Sequence, residues 1–121
     1  MLRFKTRFLC AALLAIAGSN ANAASCGIGT IQTVMVGAWN WQGIHIIIDY
    51  EAGNEAPASS LFNNNKVRFL KSSFSDDDFK TIKAAVLLAY ANGSRVQANT
   101  STTKGSGEPD CGNAVELFLL P

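Results

Sequence analysis

Residues 75–96, SDDDFKTIKAAVLLAYANGSRV, decide how the rest of the chain must fold. Phe79, Ile82, Val86, Ala89 and Tyr90 recur at helical spacing and predict one apolar face. Ser75 reads as the N-cap, with Asp78 three residues on in the acidic position of a capping box. Asp76, Asp77 and Asp78 put negative charge on the positive end of the helix dipole, so they read as capping residues. As a cation site they would need converging oxygens, and neither a calcium-loop Gly nor a distal Glu follows at the required spacing. Asn92-Gly93 supplies the stop, because glycine readily takes the left-handed conformation that ends a helix.

Outside this helix the chain alternates between β-branched runs and turn-rich stretches. Residues 30–36 (TIQTVMV) form the first expected strand, with Ile31, Val34 and Val36 as core contributors. Their apolar positions do not alternate cleanly, which predicts a bulge or burial on both faces. A glycine-bracketed turn leads to residues 44–50 (IHIIIDY), a second strand paired with the first as an antiparallel hairpin. Residues 51–65 read as a loop whose middle is pinned by Leu61 and Phe62. Residues 66–70 (KVRFL) form a third strand, with Val67 and Phe69 on one face. After the helix come residues 95–100 (RVQANT), with Val96 and Ala98 inward, a turn-rich loop over 101–113, and residues 114–120 (AVELFLL), with Val115, Leu117 and Leu119 inward. The order β-β-β-α-β-β suits a mainly β fold with one helix, a five-stranded antiparallel OB-like Greek-key barrel. An open antiparallel sheet with the helix on one face is the alternative.

The N-terminal stretch stands outside that fold. Arg3, Lys5 and Arg7 precede an apolar run over residues 8–17, too short to cross a bilayer, and Ala21-Asn22-Ala23 offers a small-x-small cleavage pattern. This predicts a signal peptide over residues 1–23, an exported (periplasmic or secreted) product, and a single small β-barrel domain over 24–121. Removing those 23 of the 121 residues leaves 98 and takes three of the ten basic residues, so seven face nine acidic ones and the net charge is −2. A mildly acidic surface argues against nucleic acid, where affinity comes chiefly from phosphate neutralisation, and against a polybasic membrane-surface role. No transmembrane anchor is expected in the mature chain.

Cys26 and Cys111 are the two cysteines of the mature chain, and in an oxidising compartment they read as a disulfide. Lipidation of Cys26 is the alternative, although Ala23 stands where a lipobox prefers a bulky apolar residue.

The helix exit carries a family resemblance. Phe79-Lys80, Leu87-Leu88, Ala89-Tyr90-Ala91, Gly93 and Val96 resemble the helix-turn-strand passage of the B subunits of pertussis-like and subtilase-type bacterial toxins. The stretch from Gly29-Thr30-Ile31 to Val36 is similar to that family's first strand, and Cys111 precedes the last strand in a comparable way. The resemblance spans most of residues 27–120. It implies a small exported disulfide-bonded barrel, pentameric rings, a cell-surface glycan ligand that is often sialylated, and a toxic A subunit as partner. In such a ring the polar face of the helix would line the central pore. The family often carries more disulfides, and its sugar-contacting serine has no match here, so no binding residue follows from the resemblance.

Three groups of residues offer candidate chemistry. Trp39 and Trp41 stand two apart beside Asn40 and Gln42; indole faces can cover the apolar side of a pyranose while amides bind its hydroxyls. Trp39, Asn40 and Trp41 are therefore the candidate ligand-binding residues, with packing at the barrel mouth as the other reading. His45 is the single histidine, and neither a nucleophile nor a set of metal ligands is spaced around it, so it reads as a half-buried strand residue. Asn92-Gly93-Ser94 and Asn99-Thr100-Ser101 match the glycosylation pattern, to which no modification is assigned because the export signal has a bacterial form. The chain lacks a recognisable serine-nucleophile motif or phosphate loop. The expectation is a non-catalytic binding module without cofactor or metal, with a monomeric periplasmic inhibitor or envelope accessory protein as the alternative.

Overall fold

The computed structural model describes residues 24–37 and 43–121. The expected signal peptide, and Trp39, Asn40 and Trp41, lie outside the described residues. Five strands form one antiparallel sheet: β1 (Ala24–Gly37), β2 (Gly43–Tyr50), β3 (Val67–Leu70), β4 (Arg95–Thr100) and β5 (Ala114–Leu119), in the order β3-β2-β1-β4-β5. One helix, α1 (Asp76–Asn92), packs against β1 and β5.

The helix ends form as their sequence dictates. Ser75 Oγ accepts a hydrogen bond from the Asp78 N–H at 3.1 Å, and Gly93 closes the helix in the left-handed region at φ 63°, ψ 31°. Replacing Ser75 with Ala is expected to cost about 1 kcal/mol, read as a lower urea midpoint at unchanged m-value. The buried face is narrower than the apolar pattern suggests. Val86 and Ala89 are buried and Phe79 and Ile82 pack against the core, but Tyr90 is 48% exposed. Tyr90 follows the buried Ala89 by about 100° of helix rotation and is exposed in the last turn. Leu87 and Leu88 also face outward.

β1 is the central strand and is longer than its β-branched run. Its first half pairs with β4 (Ala24↔Thr100 to Thr30↔Arg95) and its second half with β2 (Gly29↔Tyr50 to Gly37↔Gly43). The expected bulge lies between Ile31 and Thr33, and another lies between Ser25 and Ile28. Gly27 sits in that second bulge at φ 94°, and a Cβ there would run into the Tyr50 ring. Glycines 27 and 29, which precede the run expected to form the first strand, therefore lie inside β1. Val36, expected in the core, is 53% exposed, because the β4 ladder ends at Thr30 and leaves the far end of β1 with one neighbour. Leu119, expected inward, is likewise 42% exposed on the edge strand β5, whereas Leu117 packs against the core.

The core is built from Ile44, Ile46, Val67, Phe69, Val86, Val96 and Ala98, all at most 1% exposed. Cys26 and Cys111 are buried within it and joined as a disulfide that spans 85 residues. With its sulfur in that bond, Cys26 offers no thiol for lipidation. Buried Thr100 is satisfied, its Oγ1 donating to the Asn113 carbonyl at 3.0 Å and accepting from the Thr102 N–H at 3.2 Å.

The sheet is open. β3 and β5 are its two edges, and no backbone ladder joins them among the described residues. They nevertheless touch, and side chains bridge the seam beside them. Arg68 Nε on β3 donates to the Gly112 carbonyl at 2.7 Å, and Ser73 Oγ donates to Asn113 Oδ1 at 2.7 Å. Gly112 and Asn113 belong to a 3-10 turn, Cys111–Asn113, that the disulfide ties to β1. The loop after β2 is fixed as well: Leu61 is buried, and Phe62 and Lys66 bridge a tight turn with Asn63 and Asn64 at positive φ. Arg95 holds the start of that loop through a two-pronged bond to Glu51, which keeps the Glu51 carboxyl below its ordinary range, and also donates to the Pro121 carbonyl at 3.1 Å.

Candidate functional site

The candidate face lies at the tip of the β1–β2 hairpin. The ladder runs to Gly37↔Gly43, so residues 38–42, with Trp39, Asn40 and Trp41, are tethered between those two glycines. Gly43 also pairs with Leu70 on its other side, and a Cβ at Gly43 would strike the Phe69 carbonyl. Glycine is required there by backbone approach. Gly43 is therefore fixed against the C-terminal end of β3.

The chain leaves β3 into a 3-10 turn, Lys71–Ser73, and then into α1. Between the two lies a cleft of about 260 Å3 lined by Lys71, Asp76, Phe79, Lys80 and Lys83. Lys80 and Lys83, three apart on α1, share one side of the helix, and Lys71 lines the cleft from the turn. Phe79 forms the apolar wall, and its ring lies 6.2 Å from that of Phe74. Sequence reasoning missed this cleft. The Lys80–Lys83 spacing was a legible signal, but the 3-10 turn that adds Lys71 was not.

His45 is buried on the outer face of β2, in register with Met35 of β1 and Arg68 of β3. Its ring meets Phe62 edge-on at 5.4 Å, and the Arg68 guanidinium lies 3.9 Å over the Phe62 ring centre. Burial, and then the positive charges of Arg68 and Lys66, hold the imidazole below its ordinary value of 6.5. The stability consequence has a definite sign. Folded His45 binds its proton less readily than unfolded His45, so its contribution is fully present above about pH 6.5. It is lost as the pH falls through that value towards the lower folded one. The urea midpoint of the wild type is expected to drop between pH 7.5 and pH 5 by more than that of His45→Gln. Parallel pH profiles would show that another group controls the loss.

Tyr50 lies at the opposite end of β2. Burial pushes its phenol up to about 12, and its hydroxyl has no hydrogen-bond partner among the described residues. No three His, Cys, Asp or Glu side chains among the described residues converge in a way that would hold a metal ion, and no described helix is long and apolar enough to cross a membrane. No protein-family model, curated protein or solved structure matches the chain.

Proposed function

We propose that this chain is an exported, non-catalytic binding module with an OB-like barrel, resembling a toxin B subunit, and that it recognises a glycan through the tip of the β1–β2 hairpin. The observation that carries this reading is the doubly anchored tip. Gly37 and Gly43 close the β1–β2 ladder, Leu70 pairs with Gly43, and Trp39, Asn40 and Trp41 fall between the two glycines in the sequence. The strand order, with β3 and β5 in contact across a bridged seam, supports the barrel reading. The packing of the one histidine against Phe62 supports a non-catalytic role, and the buried disulfide supports export to an oxidising compartment.

Trp39→Ala/Trp41→Ala is expected to lose glycan-array binding that the wild-type mature protein displays. Unchanged binding would remove the hairpin tip from consideration. Sedimentation bears on the pentameric ring, which a strictly monomeric protein would count against. The exposed Leu87, Leu88 and Tyr90 favour a second reading, a monomeric inhibitor or envelope accessory protein that docks an exported protein partner. Stoichiometric capture of one envelope enzyme, lost on Leu88→Asp, would favour it over the glycan reading.

A further inference from the structure

Among the described residues seven side chains carry positive charge, and four of them are occupied. Arg68 is committed to Gly112 and Phe62, and Arg95 to Glu51 and Pro121. Lys66 Nζ donates to Asn65 at 2.9 Å, and Lys104 Nζ donates to the Ser59 carbonyl. The three that remain are Lys71, Lys80 and Lys83, and these three line the cleft between the 3-10 turn and α1. The single salt bridge among the described residues is Arg95–Glu51, so no ion pair neutralises them. Asp76 is the one carboxylate in the cleft, which leaves a local excess of two positive charges on a chain of net charge −2 after the expected cleavage.

Like charges repel, and three lysines lining one concavity raise its potential with a single carboxylate, Asp76, to offset it. We propose that this cleft binds an oxyanion (carboxylate, sulfate or phosphate) and that the group carrying it lies against Phe79. Lysine suits this task, since each ammonium has three rotatable donors and adapts to oxygens at different positions. The cleft lies below the roughly 300–1,000 Å3 of drug-sized sites, which fits a charged group on a single small ring. The Phe79 wall offers such a ring an apolar contact. Because Lys71 follows directly on Leu70, the partner of Gly43, the cleft sits at the end of the sheet that tethers the tryptophan loop. The inference goes beyond the hairpin-tip reading and does not depend on it.

Amide chemical-shift titration of the mature protein at constant ionic strength tests the site. The probes are inorganic sulfate, glucose 6-sulfate and glucose. Both anions are expected to give saturable shifts at the amides of Lys71, Phe79, Lys80 and Lys83, and glucose none. In Lys80→Gln/Lys83→Gln the affinity should fall at least about tenfold, while Lys104→Gln leaves it unchanged. Equal affinity for the two anions identifies the free ion as a sufficient ligand, and tighter binding of glucose 6-sulfate identifies the anion on its ring. The proposal is overturned if neither anion saturates, if binding survives the double substitution, or if the shifts spread equally to Lys104. Such a failure leaves the tryptophan loop to be decided by its own glycan-array comparison.

Discussion

Reduced protein, and the Cys26→Ser/Cys111→Ser variant, are expected to melt far below the oxidised wild type and by the same margin as each other. The bond closes a loop of 85 residues, for which chain entropy gives about 4–5 kcal/mol, against a total stability for small domains of roughly 5–15 kcal/mol. At roughly 4–8 °C per kcal/mol for a domain of this size, the loss is tens of degrees. Location adds to the effect. The sulfurs are fully buried among core side chains, and the turn holding Cys111 also presents Gly112 to Arg68 and Asn113 to Ser73. Releasing Cys111 therefore loosens the seam between the two sheet edges as well as the unfolded-state constraint. Differential scanning calorimetry with and without reductant measures this directly. Coincident melting of oxidised and reduced protein would show that the bond adds nothing.

The second large effect concerns one row of side chains across the sheet. Val36, Ile44 and Phe69 are cross-strand neighbours in register on β1, β2 and β3. Phe69 is fully buried, whereas Val36 at the other end of the row is 53% exposed. Phe69→Ala removes a large side chain from the centre of the core and is expected to cost about 3–5 kcal/mol. Val36→Ala is expected to stay within about 0.5 kcal/mol, because water already covers that site. Urea unfolding of the pair checks both. Similar losses for the two would mean that the exposed end of β1 is covered in solution, for example by a second copy.

What was legible in the sequence is what local chemistry decides. Ser75 and Gly93 mark the helix ends because caps act over a few residues, and Cys26 could pair only with Cys111 in the mature chain. The β-branched runs located all five strands and the helix between the third and fourth. Properties set by neighbours distant in the chain were not legible. Val36 and Leu119 have the right chemistry for a core, but each lies where the sheet has lost a flanking strand. Tyr90 fits the apolar period, yet it stays exposed in the last turn of the helix. The Arg68–Gly112 bond joins residues 44 apart, and no local pattern announces it. The same holds for the cationic cleft, which needs a turn and a helix to bring Lys71 beside Lys80 and Lys83.

The divided pairing of β1 has a consequence for timing. Its first residues, Ala24 to Thr30, find their partners on β4, which leaves the ribosome only after α1 has been made. Cys26 waits longer still, for a cysteine 85 residues further along the chain. Long-range pairings of this kind delay folding, because loop closure must precede the contacts that reward it. The central strand therefore stays half-paired until β4 has emerged.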